Sequence, residues 1–171
     1  MGSPRDAVAV VNGAPEGELR DRLQSCCAAQ AWVEEMVGGR PYRSEAAMFA
    51  ASDRATAGLD GTGLEQALAG HPRIGETAAG HERAAAWSRG EQSGLATAGA
   101  DVRSELAAAN ADYERRFGHV YLVCASGRSA DELLAVCRSR LDNDAETERG
   151  VVRQELAKIN RLRLGKLLET R

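Results

Sequence analysis

The sequence predicts an all-α fold, a single domain over residues 1–171 with about seven or eight helices and an extended connector near 117–125. Three observations predict it. Apolar residues recur at helical spacing through most windows. Glycine, proline and capping residues punctuate those windows. And the chain holds one convincing β-branched run, with no second run to pair with it.

Taken in order, residues 1–15 carry Gly2, Ser3, Pro4, Gly13 and Pro15 and are expected to be irregular, the first ten flexible. From Glu16 to Val37, Leu19, Leu23, Cys26, Cys27, Val33 and Met36 keep helical spacing, and Gly38-Gly39 with Pro41 stops it. Ser44 caps a second helix to about Leu59. Asp60-Gly61-Thr62-Gly63 reads as a turn, and Leu64–Ala69 as a short helix leading into His71.

A helical piece lies near 81–88, with Gly90 and Gly94 weakening any continuation. A long helix is expected from about Gly94 to Arg115 or Arg116. Phe117–Ala125 reads alone as a buried strand. A lone strand would leave its backbone groups unsatisfied, so the expectation is an extended connector. Ser129-Ala130-Asp131-Glu132 is a capping box, and Asn143 with Glu146 is expected to cap the last helix, to about Leu168.

Composition excludes several functions. A net charge of −3 and a pI near 5.7 give no case for nucleic acid or an anionic membrane. Aromatic content of 4% offers little for base stacking. No window approaches the roughly 20 apolar residues of a membrane span, and no signal peptide is evident, so the expected location is cytoplasmic. Cys26, Cys27, Cys124 and Cys137 show no C-x-x-C spacing and read as buried, reduced thiols. His71 and His81, ten apart, make no metal-ligand pattern, and dinucleotide and P-loop signatures are missing; neither metal nor cofactor is expected.

The chemistry gathers at His71-Pro72-Arg73-Ile74-Gly75-Glu76. A residue before proline is pushed out of the helical region, which puts the His71 imidazole on a stiffened loop. Downstream, Ser88, Glu91 and Gln92 sit three and four apart, so one helical turn gathers a hydroxyl, a carboxylate and an amide. The bland alternatives are a structural histidine and a helix cap. His119 lies near Cys124, but as a nucleophile–base pair on extended chain they would point to different faces. Arg163 falls on the apolar stripe of the last helix, four from both Ile159 and Leu167. An arginine there needs an anion, either a substrate carboxylate or an internal carboxylate. Arg161 is expected to face solvent.

Together these residues resemble a known family. His-Pro-Arg-Ile-Gly-Glu at 71–76, Ser-x-x-Glu-Gln-x-Gly at 88–94, Asn-x-x-Tyr-x-x-Arg-Phe-Gly at 110–118 and the run Ala157–Leu164 are similar to the marks of 2-oxo-4-hydroxy-4-carboxy-5-ureidoimidazoline (OHCU) decarboxylases. These are lyases that make (S)-allantoin in urate degradation. The likeness runs from about Val10 to Leu168. It implies a family-specific all-α fold, a homodimer, and no metal or organic cofactor. It puts the catalytic histidine on His71 and the essential glutamate on Glu91. Substrate contacts fall on Pro72, Ser88, Gln92 and the segment Tyr121, Leu122, Val123, Cys124 and Ala125. The carboxylate-binding arginine falls on Arg163, with Arg161 as competitor. Many relatives have an aromatic or proline near His119 and Val120, a departure that bears on the connector's shape. Two other readings compete: a decarboxylase of the same fold acting on a different ureido acid, and a helical interaction module whose loop histidine is structural.

Overall fold

A computed structural model describes residues 7–76 and 82–169. His81 lies outside the described residues. The fold is all-α, with nine α-helices, one 3-10 turn and no strand among the described residues. The chain divides into two compact units, Met1–Gly70 with Ala157–Arg171, and His71–Leu156.

The first unit holds α1 (Ala9–Asn12), α2 (Glu16–Cys26), α3 (Gln30–Gly38), α4 (Glu45–Ala57) and α5 (Gly61–Ala69). Helix α3 packs against α2, α4 and α5. Its Trp32 is fully buried and donates its indole N–H to Ser52 Oγ at 3.1 Å, which lets a large amphipathic ring sit inside without an orphaned donor.

Two helices depart from the pattern reading. Helix α1 forms where irregular chain was expected, because Val8 and Val11 are buried and Asn12 anchors the end. The Asn12 amide donates to the Tyr42 carbonyl at 2.9 Å and accepts the Tyr42 N–H at 2.8 Å. The single helix expected over 16–37 is two, broken at Cys27 in extended geometry. No glycine or proline marks that break. The new N-terminus at Gln30 instead finds a tertiary acceptor, Gln66 Oε1, at 3.1 Å. Ser44 caps α4 as expected, accepting the Ala47 N–H at 3.1 Å. Asp60 caps α5 through the Gly63 N–H at 2.8 Å, so that helix begins earlier than expected.

The second unit contains α6 (Glu82–Glu91), the 3-10 turn Ser93–Leu95, α7 (Ala100–Phe117), α8 (Ala130–Arg140) and the start of α9 (Ala145–Glu169). The rest of α9 belongs to the first unit. The core between α7 and α8 is built from Leu106, Ala109, Tyr113, Leu133, Leu134 and Cys137, with Ile74, Tyr121 and Val123 packed onto it. Gly118 ends α7 in the left-handed conformation, with φ 78°, a geometry that strains any residue with a Cβ. Ser129 and Glu132 form the full capping box of α8. The cap of α9 is Asp144 and not Asn143. Its carboxylate accepts the Thr147 N–H at 2.7 Å, while the Asn143 amide reaches Glu148 Oε2 at 3.0 Å. Residues 120–125 are the extended connector, unpaired with any strand among the described residues.

Candidate functional site

The second unit carries the proposed histidine, glutamate, serine, glutamine and connector. His71 and Pro72 are half-buried in the loop that follows α5. Ser88 and Glu91 are buried in the last turns of α6. Ser88 therefore sits inside a helix and is not its cap, and its carbonyl accepts the Gln92 N–H at 3.1 Å.

Three side chains tie down the loop that starts at His71. The Arg73 guanidinium pairs with Glu114 on α7 and lies 3.5 Å from Glu76. The Asn110 amide, also on α7, donates to the Ile74 carbonyl at 2.9 Å. Gln92 Oε1 accepts the Gly75 N–H at 2.9 Å. Each of residues 73, 74 and 75 is thus gripped by a different partner. Beside them lies a cavity of about 740 Å³ whose lining includes Gly75, Ser88, Gln92, Leu106 and Asn110. Among the described residues, that lining includes neither His71 nor Glu91.

The connector is held differently. Arg140 is 4% exposed and Glu148 fully buried, and the two form an ion pair. From there Arg140 donates to the Leu122 carbonyl at 2.6 Å, and its guanidinium lies over the rings of Tyr113 and Tyr121, 5.6 and 5.0 Å from their centroids. Burial works against the Arg140 charge, but the bond to Glu148 outweighs it and its pKa is raised. Tyr113 donates its hydroxyl to Glu148 as well, and burial followed by that bond raises the Tyr113 pKa. Glu155 accepts the Cys124 N–H at 2.8 Å, and Tyr121 donates to the Leu133 carbonyl at 2.9 Å. Side chains therefore meet two of the backbone needs, the Leu122 carbonyl and the Cys124 N–H, that a partner strand would have met.

His119 is packed against Tyr113 and Phe117, with ring centroids 5.5 and 6.3 Å away, and its Nδ1 lies 3.0 Å from the Val120 carbonyl. That is a structural setting. The four cysteines form no disulfide, and three are buried, with Cys124 half-exposed. Burial pushes the Cys27 and Cys137 thiols up to about 11. Among the described residues no group of three His, Cys, Asp or Glu side chains is placed to hold a metal ion.

Gly94 closes its motif for a spatial reason. A Cβ there would collide with the Arg128 carbonyl oxygen, so the 3-10 turn can seat against the start of α8 only if residue 94 has no side chain.

The two arginines sit in the first unit, on the later part of α9. Arg163 is 2% exposed, with Nη1 3.4 Å from the Cys26 carbonyl. Arg161 is exposed, paired with Asp53, and stacked over Phe49 at 5.5 Å. The expectation that Arg161 faces solvent agrees with this.

Pattern reading passed over Arg140, Glu148 and Glu155, and took Asn110 only as a motif letter. A signal for the charged three was present. Arg140 follows Leu133 and Cys137 at helical spacing, and Glu148, Val152, Glu155 and Ile159 share one stripe of α9. A charge on an apolar stripe marks a buried ion or a tether.

Comparison with known proteins agrees with this fold. The family model for OHCU decarboxylase matches residues 12–165. The uric acid degradation bifunctional protein TTL of Arabidopsis thaliana is 32% identical over 150 residues, 86% of this chain and 46% of that protein. The chain therefore spans about half the length of that relative. The 2-oxo-4-hydroxy-4-carboxy-5-ureidoimidazoline decarboxylase of Amia calva is 29% identical over 133 residues, 77% of this chain and 76% of that one. The crystal structure of OHCU decarboxylase in the presence of (S)-allantoin superposes with a TM-score of 0.74 at 31% identity, covering 87% of this chain and 98% of the other. An (S)-allantoin synthase structure shares the fold at 16% identity, with a TM-score of 0.69 over 92% of this chain and 52% of its own. By the family model and by these relatives, the chain belongs to the OHCU decarboxylase family.

Proposed function

We propose that this chain decarboxylates OHCU stereospecifically to (S)-allantoin in urate degradation, acting as one catalytic domain in a cytoplasmic homodimer. The observation that carries the reading is the His71–Pro72 loop, tethered to Gln92 at the end of the helix that presents Ser88 and Glu91. No helix among the described residues is long and apolar enough to cross a membrane.

The substrate supplies its own electron sink. Its carboxylate leaves from the carbon next to a ring C=N, and the bonding pair moves onto that nitrogen, which takes up a proton from solvent, as CO2 departs. The hydroxyl on the same carbon loses its proton and becomes a carbonyl. The ureido-bearing carbon gains a proton on one face. His71 supplies the imidazole that moves a proton between these positions. Glu91 orients the imidazole or the ureido group. Gln92 has its Oε1 engaged by Gly75, which turns its Nε2 into a donor for a substrate oxygen. Ser88 can donate or accept. Pro72 and the Tyr121–Ala125 segment are assigned as further substrate contacts, although they do not line the cavity beside the loop. For the carboxylate we assign Arg163 over Arg161, because Arg163 is buried on the apolar stripe of α9 while Arg161 is exposed to solvent.

The test is circular dichroism with time, on substrate generated in place by urate oxidase and hydroxyisourate hydrolase. Rapid, protein-dependent growth of a persistent (S)-allantoin signal is expected, and His71→Ala abolishes it while helicity is unchanged. A wild-type signal decaying at the spontaneous rate would remove the decarboxylase reading and favour a different ureido acid. Light scattering reads the dimer.

A further inference from the structure

The Asn110 amide makes an uneven bargain. It is 4% exposed, it donates Nδ2–H to the Ile74 carbonyl at 2.9 Å, and its Oδ1 is buried with no hydrogen-bond partner among the described residues. An unsatisfied buried carbonyl oxygen costs stability that an apolar side chain of similar volume would avoid. Leu106, Ala109 and Tyr113 on the same helix all belong to the core, and Asn110 stands where that core meets the cavity. If packing were the only demand at this position, leucine would serve it better. What leucine lacks is the bond to Ile74.

That bond sits where it can control the loop. Ile74 is three residues from His71, and Pro72 between them fixes one backbone torsion and restricts the residue before it. The freedom left between the tether and the imidazole is small. Glu114 lies one helical turn beyond Asn110 and pairs with Arg73, so two successive turns of α7 hold successive residues of the loop. Gln92 holds the next residue from the other side. Of these tethers, the Asn110 bond is the one buried from solvent, and it therefore resists competition from water.

We propose that Asn110 is a positioning residue for His71, an assignment that rests on the decarboxylase reading above. It touches no reacting atom; it fixes the loop from which the imidazole works, and its orphaned oxygen is the stability given up for that placement.

The experiment compares Asn110→Leu with wild type in two measurements. Hydrogen–deuterium exchange reads whether the amides of residues 73–76 are loosened, and the circular-dichroism assay reads kcat and KM. Expected is a thermal midpoint within a few degrees of wild type, since leucine removes one orphaned carbonyl (Oδ1) and leaves another (Ile74), with faster exchange confined to the 71–76 loop and kcat lower by on the order of 10- to 100-fold with little change in KM. Unchanged exchange overturns the proposal, even if kcat falls, because the amide would then act on the substrate itself. Loosened exchange with kcat within about twofold of wild type overturns it too, because His71 would not depend on the tether.

Should Asn110→Leu fail to fold, Asn110→Asp replaces it. Its protonated carboxyl can donate to Ile74 and its carboxylate cannot, so activity relative to wild type falls as pH rises. A pH-independent ratio overturns the proposal. An inactive wild-type protein would instead sink the decarboxylase reading, and the exchange result would still decide whether Asn110 holds the loop.

Discussion

Two irregular segments of the same unit carry the proposed chemistry, and they are braced by opposite means. The connector at 120–125 hangs from buried charge, with Arg140 on Leu122 and Glu155 on Cys124. The loop at 71–76 hangs from neutral amides, Asn110 and Gln92, with the exposed ion pairs of Arg73 beside them. A buried charge whose partner is removed is left stranded in a medium that solvates it poorly, so the connector's braces cannot be cut singly at low cost. A neutral tether strands no charge when it is cut, and the loss of stability is smaller. The difference separates the functions of the two braces: one holds the core, and the other holds a geometry that only turnover requires.

The largest expected effect breaks the connector's brace. Glu148→Ala strands Arg140 and should cost roughly 3–5 kcal/mol in urea denaturation. The double change Arg140→Met with Glu148→Leu should recover a good part of that. A single variant as stable as wild type would show that the pair braces nothing.

Next comes the alkaline limb. Burial pushes the Cys137 thiol up to about 11, and burial first, then the bond to Glu148, raises the neighbouring Tyr113. The native state holds these protons more tightly than the unfolded chain. Their contribution is complete below the unfolded thiol value of about 8.5 and is lost as pH rises toward 11. Thermal midpoints measured from neutral to strongly alkaline pH should fall across that window, and less steeply for Cys137→Ala. A flat wild-type profile would contradict it.

The smallest effect belongs to the loop's exposed pair. Arg73→Ala should leave the denaturation midpoint close to wild type, since solvent screens that contact. A loss rivalling that of Glu148→Ala would erase the contrast between the two braces.

The sequence made some of this legible because certain features are local. The Ser129–Glu132 box and the Ser44 cap satisfy backbone groups a few residues away, and both stand in the structure as the letters suggest. The extended connector was legible from a single β-branched run without a partner. How it escapes the cost of unpaired backbone was not, because Arg140 and Glu155 reach it from 18 and 31 residues away. The break at Cys27 is of the same kind: the residues there are compatible with helix, and Gln66, 36 residues beyond Gln30, decides otherwise. The motif letters of the candidate site could be named in order. Gln92 as a clamp on Gly75, and Asn110 as a clamp on Ile74, required three dimensions.

Gly94 also bears on how this chain can drift. Any base change in a glycine codon that alters the amino acid installs a side chain, and at this position the first atom of that side chain meets the Arg128 carbonyl. Relief has to come from the Ser93–Leu95 turn or from the facing turn closed by the Arg128 N–H on the Ala125 carbonyl at 3.0 Å, which is also where the connector ends. A lineage cannot vary the two places independently. A substitution at 94 is tolerated only on a background where the turn has already moved, and a shifted turn gains nothing until 94 has changed. The route between them passes through a worse protein, so the glycine and the turn are inherited as one unit.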